Sequence, residues 1–226
     1  MTEAAARDAT APGRETRQET RSRLPPEARM PQILDAAIEE FAERGYAGAR
    51  MAAVASRAGI AKGLIYHYFP SKAELFQASI AACARPIFED AERRLSGFQG
   101  SARQLLADLI GLAYARIREE QRERALFRLI LTEAERVPAL AEFYRREILE
   151  RALGIAQAVL RAGIASGEFR PSAAALPGLA AVIMAPAVAG SVWQMILGDA
   201  AADLAAMQAA HLDLLLAGLG AGGATG

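Results

Sequence analysis

The segment from residue 45 to residue 72 constrains the fold more than any other part of this sequence. Apolar residues recur at helical spacing across residues 51–58, and Gly59 follows directly, where a chain that leaves a helix can adopt positive φ. Residues 62–69 repeat the helical spacing, and Pro70 comes next, which cannot continue a helix. The pattern predicts two short helices joined by a tight turn that contains glycine.

The same segment is basic. It contains no aspartate or glutamate, and its cations are Arg50, Arg57, Lys62 and Lys72, of which the last two are the only lysines in the chain. Aromatic side chains at residues 66–68 lie among these charges. A helix-turn-helix with unopposed positive charge is typical of a protein that binds DNA. The alternative is an ordinary pair of short helices with a few solvated cations.

The sequence from residue 33 to residue 72 resembles the DNA-binding domain of the TetR family of bacterial transcription regulators. The matching residues are Ile33-Leu34, Ala36-Ala37, Phe41, Gly45-Tyr46, Val54-Ala55, Ala58-Gly59-Ile60, Lys62-Gly63, Leu64-Ile65-Tyr66-His67-Tyr68-Phe69 and Ser71-Lys72. The resemblance implies an all-α protein in which a three-helix helix-turn-helix DNA-binding domain precedes a larger helical ligand-binding and dimerisation domain. It also implies that each subunit of a dimer inserts one recognition helix into DNA and that the central helices of the body enclose an effector.

Two helix starts depart from the family pattern. Arg50 and Ala53 occupy positions where the family usually has a hydroxyl residue and, three residues later, an acidic one, so a capping box is missing. Ala61 replaces the hydroxyl residue that usually precedes the recognition helix. Each loss is expected to weaken its helix start by about 1 kcal/mol. We expect Arg50 to contact a DNA phosphate instead.

The first turn of the recognition helix is predicted to read the bases, since helix-turn-helix proteins usually use that end. Lys62 can donate to guanine, Gly63 allows close approach of the backbone, and Leu64 suits a thymine methyl group. Phosphate contacts are predicted for a second set of residues, namely Tyr66, His67, Lys72 and Arg50.

The remainder of the chain predicts further helices and no strand. We expect a disordered arm over residues 1–26, the DNA-binding domain over 27–72, a linking helix over about 71–96, the helical ligand-binding and dimerisation domain over 73–220, and a flexible glycine-rich tail over 221–226. The arginines of the arm could enter a minor groove, although a solvated tail is the simpler interpretation.

Residues 171–198 contain no charged side chain, so this segment is long enough to cross a bilayer. It is rich in alanine and glycine, includes two internal prolines, and has no basic cluster at its ends apart from Arg170. We therefore favour a helix that is buried at a subunit interface, paired with an amphipathic helix over residues 204–219. The prediction is a homodimer formed through about residues 176–219, with no membrane partner.

The predicted effector is a small, largely apolar molecule. Three aromatic residues with a polar group are candidates to line its pocket, namely Tyr114, Tyr144 and Trp193. Three further residues are candidate buried polar anchors, namely Arg128, Glu133 and Gln157. Ordinary core or surface packing is the alternative for each of them.

Several function classes find no support in the sequence. Cys83 is the only cysteine, so no internal disulfide can form and a reducing, cytoplasmic location is expected. The only histidines are His67 and His211, and no metal-ligand spacing, phosphate-binding loop, dinucleotide fingerprint or nucleophile elbow occurs. We predict no enzyme activity, metal or cofactor. The predicted function is a ligand-released repressor that binds a palindromic operator as a dimer; the alternative is a helical small-molecule-binding or membrane-associated bundle without DNA-binding activity.

Overall fold

The computed structural model describes residues 26–119 and 121–220, and this part of the chain contains ten α-helices and no strand. The helices are α1 (Pro26–Gly48), α2 (Met51–Arg57), α3 (Lys62–Tyr68), α4 (Lys72–Ser96), α5 (Ala102–Glu119), α6 (Gln121–Glu133), α7 (Pro138–Tyr144), α8 (Glu150–Ala165), α9 (Leu179–Leu197) and α10 (Leu204–Leu219). The all-α prediction is confirmed. The predicted tail and all but the last residue of the predicted arm lie outside the described residues.

The first three helices form a compact unit with α4. Gly45 interrupts α1 with a φ of 69°, which a glycine adopts without strain, and the chain then folds Tyr46 back onto the unit. The Tyr46 ring lies 6.1 Å from the Phe41 ring and 5.2 Å from the Phe76 ring, measured between ring centroids. Tyr46 therefore packs against the core of this unit.

A carboxylate from α1 takes the place of the acidic residue that is missing from the capping box of α2. Arg50 provides no side-chain cap, as predicted, but Glu40 Oε1 accepts a hydrogen bond from the Arg50 backbone nitrogen at 3.3 Å. Arg57 at the other end of α2 donates to Glu40 at 3.2 Å and to Glu43 at 2.8 Å. The hydrogen bond to Glu43 raises the pKa of Arg57, and Arg57 in turn lowers the pKa of Glu43. Since Glu40 is almost fully buried, these contacts fix α2 against α1.

The linking helix α4 begins at a side-chain cap from Ser71. Ser71 Oγ accepts from the backbone nitrogen of Glu74 at 3.1 Å and donates to the Glu74 carboxylate at 2.9 Å. The helix then runs to Ser96, which matches the predicted linking helix.

Two hydrophobic cores organise the described residues. The first contains the inner faces of α1–α4 and also three residues from the body, namely Leu126 and Ile130 of α6 and Leu140 of α7. The second lies among α5, α8, α9 and α10 and is closed by Phe169. The first core therefore extends across the predicted domain boundary at residues 72 and 73. That domain division stays a prediction.

Helices α7 and α8 form one nearly continuous helix over residues 138–165. A π-helical turn, Arg145–Leu149, joins α7 to α8 and widens the helix locally. Tyr144, directly before this turn, and Ile148, within it, line a cavity in the body.

Helix α9 is exposed along much of its apolar length. It is long and apolar enough to cross a bilayer, with a mean hydropathy of 1.7, yet only 17% of that apolar window is buried in this chain. Large apolar side chains on its surface include Val182 at 60% exposure and Ile196 at 71%, and Leu214 on α10 is 72% exposed. The burial that we expected for this segment is therefore not provided within the single chain.

Candidate DNA interface and ligand cavity

Helix α3 presents its polar side outward because one buried residue fixes its orientation. Ile65 is completely buried in the first core. Lys62 and Tyr66 are one helical turn apart on the outer side, and both are exposed. His67 and Gly63 follow the same spacing and are also exposed. The structure thus gathers four of the predicted DNA-binding residues on one surface.

The position of Gly63 is open to an approaching molecule. A Cβ atom built on Gly63 would meet no heavy atom within 4 Å, so nothing on the outer side of α3 crowds this backbone. Leu64 is half-buried beside it, which leaves part of its side chain available for an apolar contact, and Arg50 is exposed at the start of α2. The turn before α3 passes through Gly59 at a φ of 67°. These features agree with the predicted contacts and leave them as predictions.

The predicted phosphate contact of Lys72 does not fit this structure. Lys72 Nζ donates to the carbonyl oxygens of Tyr46 at 2.7 Å, Ala47 at 3.2 Å and Ala49 at 3.2 Å. It also lies 4.8 Å from the centroid of the Tyr46 ring. An ammonium group has three hydrogens, and three acceptors already use them. Lys72 therefore joins the end of α1 to the start of α4.

The body encloses an apolar cavity of about 340 Å³, a size within the usual range for small-molecule sites. Seven helices, α4 to α10, contribute to its wall. Aliphatic side chains and alanines from α4, α5, α8 and α9 form most of it, with the aromatic rings of Phe88, Phe127 and Tyr144. The wall contains few polar side chains, namely Arg116, Arg124, Tyr144, Ser191 and His211.

The amino-acid sequence is similar to that of known bacterial regulators. The family described as bacterial regulatory proteins, tetR family, matches residues 33–79. The fatty acid metabolism regulator protein of Bacillus subtilis is 28% identical over 194 residues, which cover 83% of this chain and 94% of that protein. The transcriptional activator FasR of Mycolicibacterium smegmatis is 47% identical over 57 residues, about a quarter of each chain.

The fold is also similar to that of a solved structure over most of the chain. The transcriptional regulator FadR of Bacillus subtilis, solved in complex with stearoyl-CoA, superposes with a TM-score of 0.65 at 25% identity, over 83% of this chain and 98% of that one. The chain is a TetR-family regulator. Its helix-turn-helix and helical body are those of a DNA-binding transcription regulator that responds to a ligand.

The structure places one of the six predicted pocket residues of this TetR-family regulator in the cavity wall. That residue is Tyr144, which is half-buried, and burial raises the pKa of its hydroxyl group. Tyr114 is completely buried behind the wall. Arg128 and Gln157 are exposed, and Trp193 is 45% exposed, so these three face away from the cavity.

Glu133 is also absent from the cavity wall. It lies at the end of α6 near Tyr46, where its carboxylate and, more strongly, burial raise the pKa of that tyrosine. Glu133 therefore belongs to the contact between the body and the DNA-binding helices. Its prediction as a pocket anchor rested on residue type alone, which does not indicate the face of a helix.

Sequence reasoning missed four polar residues of the wall, namely Arg116, Arg124, Ser191 and His211. A helical signal was available for Arg116, because it follows Leu109, Leu112 and Ala113 at spacings of three and four residues. Such a position on an otherwise apolar face indicates an inward-facing cation. His211 likewise interrupts the apolar face of α10.

Proposed function

We propose that this TetR-family regulator is a dimeric, cytoplasmic repressor that binds a palindromic operator and releases it when a largely apolar ligand enters the cavity. The observation that carries this proposal is the position of α6. Phe127 of α6 lines the cavity, while its neighbour Leu126 lies in the core shared with the DNA-binding helices. One helix thus contacts both the ligand site and the DNA-binding unit.

The outer side of α3 is the proposed DNA-reading surface. Lys62 and Gly63 are exposed in its first turn, and Tyr66 and His67 follow one turn later. Base contacts by the first turn and phosphate contacts by the second are the arrangement that helix-turn-helix proteins use. Arg50 is the proposed phosphate contact from the start of α2, because its side chain is exposed. The hydrogen bond from its backbone nitrogen to Glu40 holds the residue in place.

A second copy of the chain is the proposed cover for α9 and α10. The exposed apolar side chains on these helices, with Ile196 and Leu214 each more than two-thirds exposed, would otherwise remain in water. The two helices pack closely, since a Cβ built on Gly190 would lie 3.0 Å from Leu204 Cδ2. A dimer through this pair would present two recognition helices related by two-fold symmetry, which a palindromic operator requires.

The proposed ligand is a long acyl chain that carries an anionic head group. The cavity wall is almost wholly apolar, which suits a hydrocarbon chain, and Arg116 and Arg124 are cations that suit a phosphate or carboxylate. A related regulator from Bacillus subtilis was solved with stearoyl-CoA, and a related sequence is named a fatty acid metabolism regulator. These relatives support an acyl thioester as the first ligand to test.

Ligand binding lowers DNA affinity only if the ligand prefers a conformation that binds DNA less well. Helices α4 and α6 are the proposed connection. Phe88 of α4 lines the cavity, and Phe76 lies three turns earlier in the DNA-binding core. Leu129 of α6 also lies against Gly45, where the Cβ position is 3.9 Å from Leu129 Cδ2. A shift of either helix would therefore move α1 and the recognition helix with it.

Fluorescence anisotropy with labelled DNA from the region upstream of its own gene tests this function. We expect salt-dependent, sequence-selective binding, which stearoyl-CoA weakens and coenzyme A alone does not. Choline, which is small and cationic, serves as the ligand control. Binding that is equal on upstream and random DNA would contradict the regulator function. Selective binding that no acyl-CoA weakens would contradict only the ligand class.

A further inference from the structure

The cavity of this regulator contains one buried histidine whose hydrogen bonding is incomplete. His211 lines the cavity from α10 and is 7% exposed. Within the described part of the chain, its Nε2 atom has no hydrogen-bond partner. A buried polar atom without a partner loses its interaction with water and gains nothing in return. This atom is therefore a candidate contact for a ligand.

The other ring nitrogen is held by a tyrosine. Tyr114 of α5 is completely buried, and its hydroxyl oxygen lies 3.3 Å from His211 Nδ1. Burial raises the pKa of Tyr114, so the phenol keeps its proton, and burial lowers the pKa of His211, an effect that the Ile183 carbonyl partly opposes, so the imidazole stays neutral near pH 7. A phenol is the stronger donor of the two and a neutral imidazole nitrogen is the stronger acceptor.

These preferences determine the tautomer of His211. If the Tyr114 hydroxyl donates to Nδ1, the single hydrogen of the neutral ring must lie on Nε2. Nε2 then presents an N–H donor. The Ile183 carbonyl acts on the pKa of the ring, yet Nε2 itself has no hydrogen-bond partner among the described residues. A ligand group that completes this site has to be an acceptor.

We propose that His211 Nε2–H donates a hydrogen bond to an oxygen atom of the cavity ligand, and that Tyr114 positions the imidazole for this contact. The surrounding wall is apolar, so the oxygen belongs to a ligand group that is next to a hydrocarbon chain. Two sources carry this chemistry, the carbonyl of an acyl thioester and a hydroxyl on the acyl chain. Ser191, from α9, also lines the cavity and offers a second hydroxyl group. This inference rests on the proposed acyl ligand.

Calorimetry with three matched ligands tests the contact. The ligands are stearoyl-CoA, its thioether analogue in which a methylene replaces the carbonyl, and the same thioether with one chain hydroxyl. We expect wild-type protein to bind one of the two oxygen-bearing ligands about tenfold more tightly than the plain thioether, as one hydrogen bond in an apolar site provides. The preferred ligand identifies the source of the oxygen.

The variant His211→Leu should bind all three ligands with similar affinity, whereas His211→Gln, which retains an amide N–H donor, should recover part of the preference. Equal affinity of wild-type protein for all three ligands, or a preference that survives in His211→Leu, would overturn the inference. Failure of wild-type protein to bind any of them would overturn both the inference and the acyl ligand class, while leaving the DNA-binding function intact.

The positioning role of Tyr114 has its own measurement. Nitrogen-15 spectra of ligand-free protein should show His211 as the Nε2–H tautomer, and Tyr114→Phe should convert it to a mixture of tautomers. A merely structural role for Tyr114 would leave the tautomer unchanged. The same spectra of His211→Leu assign the signal, and a pure Nδ1–H tautomer in wild-type protein would overturn the proposed direction of the hydrogen bond.

Discussion

Lys72 Nζ donates a hydrogen bond to the carbonyl oxygen of Tyr46 at 2.7 Å and lies 4.8 Å from the centroid of the same residue's ring. Lys72 lies in the first turn of α4, and its ammonium group thus caps the carbonyl end of α1. Gly45 interrupts α1 just before that end. A cation near the carbonyl end of a helix also interacts favourably with the helix dipole. The basic side chain that the sequence assigned to DNA holds the DNA-binding unit together instead.

Replacing Lys72 by Met should therefore lower stability more than it changes DNA recognition. A hydrogen bond from a charged donor contributes about 1.5–3 kcal/mol to stability. We expect the free energy of unfolding to fall by about 2 kcal/mol, measured by denaturant titration. The slope of DNA affinity against salt concentration should stay as in wild-type protein. A slope reduced by one unit with unchanged stability would restore the phosphate contact.

Lys62→Met is the matched substitution on the exposed side of α3. It should leave the free energy of unfolding unchanged and weaken operator binding by about 1–3 kcal/mol, with relaxed preference at one base pair in each half-site. Competition anisotropy against operators mutated one position at a time measures both effects. Unchanged affinity and unchanged preference in folded Lys62→Met protein would mean that α3 does not read the bases.

The sequence predicted the DNA-binding helices closely and the cavity poorly, for a physical reason. The turn at Gly59 and the buried position of Ile65 follow from local constraints, since a glycine and an apolar spacing each allow few conformations. The cavity is made by seven helices whose relative rotation is a tertiary property. Residue type alone therefore placed Trp193 and Gln157 inside, where the structure has them exposed, and missed His211.

The start of α2 shows the same difference between local and tertiary constraints. Sequence reasoning recognised that Arg50 and Ala53 cannot form a capping box. It could not identify Glu40, ten residues earlier on α1, as the carboxylate that accepts from the Arg50 nitrogen. A local pattern reports a local deficit, whereas the compensating contact depends on how α1 packs against α2.

Glu168 predicts a specific pH dependence of stability. Its carboxylate accepts hydrogen bonds from Ser101 and from the backbone nitrogens of Ala102 at 2.7 Å and Arg103 at 3.3 Å, so it caps α5. These donors, Ser101 first, lower the pKa of Glu168 from its ordinary 4.5 to about 2. A lowered pKa in the folded state stabilises the protein above pH 4.5, and this contribution is lost as the pH falls toward 2.

Glu168→Gln should therefore be less stable than wild-type protein at neutral pH, and the difference should shrink below pH 4.5. Thermal unfolding at a series of pH values between 2 and 7 measures it. The difference between the two proteins, rather than either curve alone, is the relevant quantity, because other carboxylates titrate in both. A difference that is constant across this range would show that the cap does not depend on the charge of Glu168.

Ile196→Arg tests the proposed dimer. Ile196 is 71% exposed on α9, so an arginine there is tolerated in the single chain but would place an unpaired charge in an apolar interface. We expect sedimentation to show a monomer with wild-type helicity and lost operator binding. Leu131→Arg is the control, because Leu131 is 52% exposed on α6, away from the proposed interface, and should remain dimeric. A dimer of Ile196→Arg as tight as wild type would place the subunit contact elsewhere.

Two glycines of α8 should respond to the same substitution in opposite directions. A Cβ built on Gly163 would lie 2.0 Å from Phe169 Cδ2, and Phe169 is completely buried in the second core. Gly154 lies earlier on the same helix, and a Cβ built there would meet no neighbouring side chain within 4 Å. Alanine is the better helix former, so only the contact with Phe169 distinguishes the two sites.

Gly154→Ala should raise the free energy of unfolding by up to about 1 kcal/mol. Gly163→Ala should lower it by about 1–3 kcal/mol, because a buried ring has to move. Urea titrations of both variants measure the two changes, and a double-mutant cycle with Phe169→Leu identifies their cause. In the Phe169→Leu background the cost of Gly163→Ala should fall, since the shorter side chain leaves room for the methyl group. An undiminished cost in that background would mean that the close approach of Gly163 to Phe169 is not what requires glycine at this position.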